Sequence, residues 1–172
     1  MSVLIILRGN SGSGKSSVAK ELQKKLGSGT FLIAQDMVRR EMLCVHDGKD
    51  TPALPLLVRL LEWGKAHCSH VILEGILNAG WYQPLFETAA ELFGADIYAY
   101  YYDISFEETV KRHKTKRNKN DFGEAQMRLW WKEKDWIGII PEKILKEDIS
   151  LEDAVEIIMR DITDLNIVPA EA

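Results

Sequence analysis

The sequence is poor in cysteine and contains no apolar run long enough to cross a membrane. Its two cysteines, Cys44 and Cys68, stand far apart among 172 residues. This excludes the disulfide framework of a small secreted domain and favours a reducing compartment. The longest apolar run near the N-terminus, residues 3–7, is too short for the core of a signal peptide or for a membrane span. We therefore expect a cytoplasmic protein with no membrane partner.

The chain also lacks an excess of positive charge. Its 22 lysines and arginines are outnumbered by 26 aspartates and glutamates, which gives a net charge of −4. A protein that binds nucleic acid with its whole surface is usually basic, so any such binding here must be local. No internal repeat, low-complexity linker or Pro/Gly-rich boundary divides the chain. The length therefore predicts a single domain over residues 1–172.

Short apolar runs alternate with longer amphipathic stretches along the chain. The predicted strands cover residues 3–7, 31–34, 71–73, 97–102 and 143–146. The predicted helices cover residues 15–26, 36–43, 55–67, 81–93, 124–135 and 151–165, and a further helix starts at a capping box at residues 105–108. This alternation predicts an α/β fold with a mainly parallel sheet. Because ligands of such sheets bind beyond the carboxyl ends of the strands, the residues that follow each strand should carry the function.

Residues 9–16 read GNSGSGKS and fit the phosphate-loop (Walker A) pattern GxxxxGK[ST] in full. Glycines let successive backbone N–H groups turn toward phosphate oxygens, and the helix that starts there adds its own free N–H groups. Lys15 can reach the β- and γ-phosphates of ATP, and the Ser16 hydroxyl can bind Mg²⁺. The predicted nucleotide-binding residues of this loop are Gly9, Asn10, Ser11, Gly12, Ser13, Gly14, Lys15, Ser16 and Ser17.

The sequence resembles the small P-loop kinases of the nucleoside, shikimate and gluconate kinase type, and among them the polynucleotide-kinase-like and chloramphenicol-phosphotransferase-like groups. The resemblance continues beyond the loop with QDMVRR at residues 35–40, VILEG at residues 71–75 and YDISFEE at residues 102–108. It implies a three-layer α/β/α P-loop NTPase fold with a five-stranded parallel sheet and a helical lid at about residues 111–123. It also implies a kinase that uses ATP and Mg²⁺.

Asp36 directly follows the second predicted strand. In kinases of this type, a carboxylate there accepts or orients the proton of the attacking hydroxyl. The alternative is that Asp36 is only the N-cap of a helix. Arg39 and Arg40 lie three and four residues further on, where they could hold an anionic or polyhydroxyl substrate or simply face solvent.

Glu74 ends the third predicted strand and precedes a glycine, Gly75. A carboxylate at this edge can hold Mg²⁺ through water or contact the acceptor, and the glycine permits close approach. The alternative is a strand-end carboxylate paired with a lysine. Both Asp36 and Glu74 therefore remain candidates for the catalytic base.

Six basic residues lie within residues 111–119 of this acidic protein. In kinases of this type, a lid after the fourth strand supplies arginines to the transferring phosphoryl group. We expect Arg112 and Arg117 to bind the nucleotide and act in catalysis, and Arg128 to contact the substrate. The alternatives are a solvated charge run and a local nucleic-acid patch, with tryptophans nearby for stacking.

The predicted function is ATP-dependent transfer of the γ-phosphate to a hydroxyl of a small molecule, such as a nucleoside, an antibiotic or a sugar-like alcohol. The net charge of −4 favours a small molecule over a nucleic acid. A polynucleotide 5′-hydroxyl kinase is the first alternative. A nucleotide-dependent switch or binding module without phosphotransfer is the alternative from another class.

Overall fold

Five strands form one sheet in the computed structural model, which describes residues 2–114 and 123–164. The strands are β1 (Val3–Gly9), β2 (Thr30–Ala34), β3 (His70–Gly75), β4 (Ile97–Asp103) and β5 (Glu142–Lys146). Their order across the sheet is β2-β3-β1-β4-β5, and all neighbouring strands are parallel. The predicted five-stranded parallel sheet is confirmed.

Seven helices are found in the same part of the chain. They are α1 (Lys15–Leu26), α2 (Gln35–Met37), α3 (Ala53–His67), α4 (Gln83–Phe93), α5 (Phe106–His113), α6 (Glu124–Trp130) and α7 (Leu151–Asp164). Helix α2 continues as a π-helical turn, Val38–Met42. No helix among these residues is long and apolar enough to span a bilayer.

Each face of the sheet packs against its own helices. Leu4 and Ile6 of β1 join a core formed with α3 and α4, whereas Ile5 and Leu7 join a core formed with α1 and α7. All four side chains are fully buried. Successive residues of a strand point to opposite faces, so a central strand covered on both sides must be apolar throughout. The result is the three-layer α/β/α fold that the resemblance to the P-loop kinases implies.

The predicted helix over residues 124–135 is wrong in its second half, because α6 ends at Trp130. Residues 131–141 are irregular, and Lys134 has a φ of 52°. The main chain of Lys132 bonds instead with the Asn10 side chain: Asn10 Nδ2 donates to the Lys132 carbonyl at 2.7 Å, and the Lys132 N–H donates to Asn10 Oδ1 at 3.0 Å. These tertiary bonds replace the helical ones and tie the segment to the phosphate loop.

Helix α5 begins where the capping box predicts it. The Ser105 side chain accepts from the Glu108 N–H at 3.4 Å and donates to Glu147 Oε2 at 2.7 Å. The predicted lid at residues 111–123 is described only at its ends, and Arg117 lies outside the described residues.

Candidate active site

The predicted phosphate loop connects β1 to α1 at the centre of the sheet, where the strand order reverses. Gly9, Gly12 and Gly14 have φ values of 137°, 88° and 104°, which residues with a Cβ rarely adopt. A Cβ at Gly12 would lie 2.6 Å from the Thr109 carbonyl oxygen. Helix α5 therefore packs directly against the loop, and only glycine permits this contact.

Lys15 lies within the curve of the loop. Its side chain is almost fully buried, and its Nζ donates to the Asn10 carbonyl at 2.8 Å and to Ser13 Oγ at 3.1 Å. The ammonium group is therefore positioned by the loop itself. A cation held there, at the start of a helix with free N–H groups, suits the binding of an anion.

Ser16 and Glu74 meet across the boundary between α1 and β3. Ser16 Oγ donates to Glu74 Oε2 at 3.1 Å, and Glu74 is only 6 % exposed. Strand β3 lies beside β1, which places Glu74 opposite Leu7, just before the loop. A hydroxyl and a carboxylate are the hard oxygen ligands that Mg²⁺ prefers, so this pair fits the metal implied by the phosphate loop.

Asp36 is a partly exposed residue in the first turn of α2. Its side chain is 56 % exposed, and its Oδ1 accepts from Arg39 at 2.8 Å and lies 3.6 Å from Nε of Arg40. The N-cap of α2 is Ala34, and no side chain caps it. The interpretation of Asp36 as a simple helix cap is therefore wrong, and its carboxylate is held by two arginines at the carboxyl edge of the sheet.

Arg112 joins α5 to the phosphate loop. Its guanidinium donates to the Ser13 carbonyl at 3.0 Å, to the Glu147 carbonyl at 2.8 Å and to Glu108 Oε1 at 2.8 Å. Hydrogen bonds from Arg112 and then Lys111 hold the pKa of the Glu108 carboxyl below its ordinary value. Arg112 is thus fixed beside the loop, unlike a residue of a solvated charge run.

Arg128 contacts residues of α5 and α6. Its guanidinium carbon lies 3.9 Å from the centre of the Phe106 ring, and its NH2 group lies 3.7 Å from Glu124. The side chain is 64 % exposed. These contacts join α6 to α5. The contact of Arg128 with substrate stays a prediction.

Arg8 is a buried residue at the site that no sequence motif indicates. It is fully buried at the end of β1, and it donates five hydrogen bonds of 2.8–3.0 Å. Two go to the Leu77 carbonyl, two to Asp135 and one to Glu142. Arg8 therefore ties the strand before the loop to the segments after β3 and α6. The only signal in the sequence is a basic residue that ends an apolar strand.

A second group that the sequence does not indicate lies at the end of β2. Gln35 Nε2 donates to the Tyr82 hydroxyl at 2.7 Å and to Asp47 Oδ2 at 3.0 Å, and the Tyr82 hydroxyl donates to Asp47 Oδ1 at 2.7 Å. Gln35 and Tyr82 are fully buried. Burial first, and then the bond to Asp47, raises the pKa of Tyr82. We refer to Gln35, Asp47 and Tyr82 as the Gln35 triad.

The loop, the sheet order and the helical layers together define a protein with the fold of the P-loop kinases. Residues 4–137 match the AAA domain family (AAA_33), and the chain belongs to that family. No curated protein matches the chain.

Solved structures share the fold over nearly the whole chain. A gluconokinase from Sinorhizobium meliloti 1021 is 17 % identical with a TM-score of 0.68, over 95 % of this chain and 93 % of that one. The APS kinase of Mycobacterium tuberculosis, solved with AMPPNP and APS, is 20 % identical with a TM-score of 0.62, over 95 % and 98 %. A shikimate kinase from Acinetobacter baumannii, solved with shikimate, is 15 % identical with a TM-score of 0.59, over 98 % and 97 %.

Proposed function

We propose that the protein is an ATP-dependent kinase that transfers the γ-phosphate to a hydroxyl of a small molecule. The observation that carries this proposal is the hydrogen bond of 3.1 Å between Ser16 and Glu74, since Ser16 directly follows Lys15, whose buried ammonium lies within the phosphate loop. It joins the phosphate loop to the strand end where an acceptor should lie. The fold shared with a gluconokinase and a shikimate kinase supports small-molecule phosphotransfer.

Residues 9–17 would bind the triphosphate through main-chain N–H groups, and Lys15 would neutralise the β- and γ-phosphates. Arg112, already bonded to the loop through the Ser13 carbonyl, would hold the nucleotide from the α5 side. Arg117, from the lid, would add positive charge to the transferring phosphoryl group. A bound nucleotide would thus be surrounded by donors and cations.

Ser16 and Glu74 would hold Mg²⁺, with Glu74 acting directly or through water. The metal supplies neutralisation of the charge that spreads over the phosphate oxygens. Glu74 is buried and already accepts from Ser16. The two side chains would therefore need no large rearrangement to hold Mg²⁺.

Asp36 would act as the catalytic base. The acceptor oxygen forms a bond to the γ-phosphorus, the bond from that phosphorus to the bridging oxygen breaks, and ADP leaves with the electron pair. The hydroxyl proton passes to the Asp36 carboxylate. Arg39, bonded to Asp36 at 2.8 Å, orients this carboxylate. Arg39, Arg40 and Arg128 are the proposed contacts to the acceptor.

The proposal is tested by incubating the protein with MgATP and a small-molecule cell extract. Mass spectrometry then searches for products that gain one phosphate. We expect such a product with the wild-type protein and none with Lys15→Ala. Binding of ATP without any phosphorylated product or acceptor-dependent ADP would instead support a nucleotide-dependent binding module.

A further inference from the structure

The direction of each hydrogen bond in the Gln35 triad is fixed by chemistry. An ionised carboxylate can only accept, so both groups that face Asp47 must donate. The amide nitrogen of Gln35 therefore faces Asp47, and the Tyr82 hydroxyl gives its proton to Asp47 and accepts from Gln35. A flipped amide would place two acceptors against each other.

This orientation turns the Gln35 carbonyl oxygen away from the triad and toward β3. A Cβ on Gly75 would lie 2.7 Å from Gln35 Oε1, and Gly75 directly follows Glu74. Gln35 Oε1 is buried and has no hydrogen-bond partner among the described residues. A buried carbonyl of this kind is stabilised by a ligand or water that donates to it. It lies beside the strand end that contacts the phosphate loop.

A hydrogen-bond donor, Arg39 Nε, lies on the same helical segment as Gln35. Arg39 donates from its NH1 to the Val45 carbonyl and from its NH2 to Asp36, but its buried Nε has no partner in the described part of the chain. The charge of Arg39 opposes the rise in the pKa of Tyr82, so Arg39 lies near the Gln35 triad. The segment that carries Asp36 therefore also carries a buried acceptor, Gln35 Oε1, and a buried donor, Arg39 Nε, neither of which has a partner among the described residues.

We infer that Gln35 Oε1 determines specificity by accepting a hydrogen bond from a non-reacting hydroxyl of the acceptor, which is a small polyhydroxylated molecule. The inference rests on the proposed phosphotransfer. One hydroxyl is attacked beside Asp36, a second donates to Gln35, and an oxygen of the same molecule accepts from Arg39. A monohydroxy alcohol has no second hydroxyl to donate. The 5′ end of a DNA strand offers one free hydroxyl and fails for the same reason.

The first test supplies wild-type protein and MgATP with a panel of sugars, sugar alcohols and sugar acids. Monohydroxy alcohols and an oligothymidylate with a free 5′-hydroxyl serve as comparison compounds. We expect a phosphorylated product from at least one polyhydroxylated compound and none from the comparison compounds. Equal or better transfer to a comparison compound, or no transfer to any polyhydroxylated one, overturns the inference. The proposed function fails only if the cell extract also yields no phosphorylated product.

The second test removes the non-reacting hydroxyls one at a time from the best polyhydroxylated acceptor. With the wild-type protein, one single-deoxy analogue should lose roughly 5- to 150-fold in kcat/KM, because a buried polar group loses its partner. If no analogue loses more than about twofold, the inference is wrong. This result requires no variant and therefore does not depend on how a substitution folds.

Gln35→Leu should abolish the difference in kcat/KM between the acceptor and its single-deoxy analogue. It should also raise the KM for the acceptor while leaving the KM for ATP unchanged. Gln83→Leu is the matched control, since Gln83 is an exposed residue of α4 whose side chain bonds to Glu87 on the same helix. If Gln35→Leu does not fold, Gly75→Ala replaces it, because its Cβ would lie 2.7 Å from both Cβ and Oε1 of Gln35 and would force this side chain to shift. If a folded variant still distinguishes the acceptor from its single-deoxy analogue as the wild type does, a group other than Gln35 recognises the hydroxyl and the inference is wrong.

Discussion

Lys15 is the residue on which the proposed nucleotide chemistry depends most directly. Lys15→Ala removes the ammonium from within the phosphate loop and takes little from either apolar core. We expect phosphotransfer to be abolished and the melting temperature to stay close to that of the wild type. Steady-state kinetics and thermal unfolding check both. A folded variant with near wild-type kcat/KM would contradict the assignment of the phosphate loop.

Asp36 is the next residue to test, since its carboxylate is partly exposed and is not a helix cap. Asp36→Asn should lower kcat by about 10²–10⁴-fold with little change in the KM for ATP, as expected for a positioned general base. Asp96→Asn is the control, because Asp96 lies just before β4, at the opposite edge of the sheet. Unchanged kcat in Asp36→Asn would make Glu74 the leading candidate for the base.

Arg8 carries a prediction about stability. Arg8→Met leaves Asp135 and the buried Glu142 without their cation, which should cost about 3–5 kcal/mol in the free energy of unfolding. Arg8→Lys should not restore the loss, because an ammonium cannot replace the five donors of a planar guanidinium. Urea unfolding measures both variants. Arg59→Met, which breaks an exposed pair with Glu62, should change stability by less than about 1 kcal/mol.

At the scale of elements, α5 presents two neighbouring cations with different surroundings. Arg112 bonds to the phosphate loop, whereas the side chain of Lys111 is 78 % exposed and pairs with Glu108. Arg112→Ala should lower kcat and kcat/KM together, and Lys111→Ala should change neither by more than about twofold. Equal, small effects of both substitutions would indicate a solvated charge run and remove Arg112 from the site.

Elements fixed by local patterns could be predicted from the sequence, and those fixed by distant contacts could not. The phosphate loop and α1 follow from glycines and an amphipathic run, and the bounds of α1 match the prediction. Helix α6 is shorter than predicted because Asn10 and Arg8 bind the segment that follows it, from more than 120 positions away. The Gln35 triad joins residues separated by 12 and 47 positions, and no local pattern encodes such an encounter.

At the scale of the whole molecule, all five tyrosines have raised pKa values, and burial is the first cause in each case. These residues are Tyr82, Tyr98, Tyr100, Tyr101 and Tyr102. A phenol with a raised pKa in the folded state contributes stability that is present below its unfolded pKa of about 10 and is lost as the pH rises above it.

We therefore expect the melting temperature to fall above about pH 10, and phenolate to form together with unfolding. Ultraviolet absorbance follows the phenolate, and circular dichroism follows the fold during the same alkaline titration. Complete ionisation of the tyrosines while the circular dichroism stays native would contradict the burial of β4 and of Tyr82 in the two cores.

The fate of the γ-phosphate tests the central claim most directly. ATP labelled at the γ-phosphate is incubated with the protein, Mg²⁺ and a polyhydroxylated acceptor, and the label is followed into every product. We predict that the label enters a phosphate ester of the acceptor in an amount equal to the ADP formed, and that Asp36→Asn greatly slows this transfer. Label that remains in ATP, or that appears only as inorganic phosphate from a folded, nucleotide-binding protein, would contradict the account.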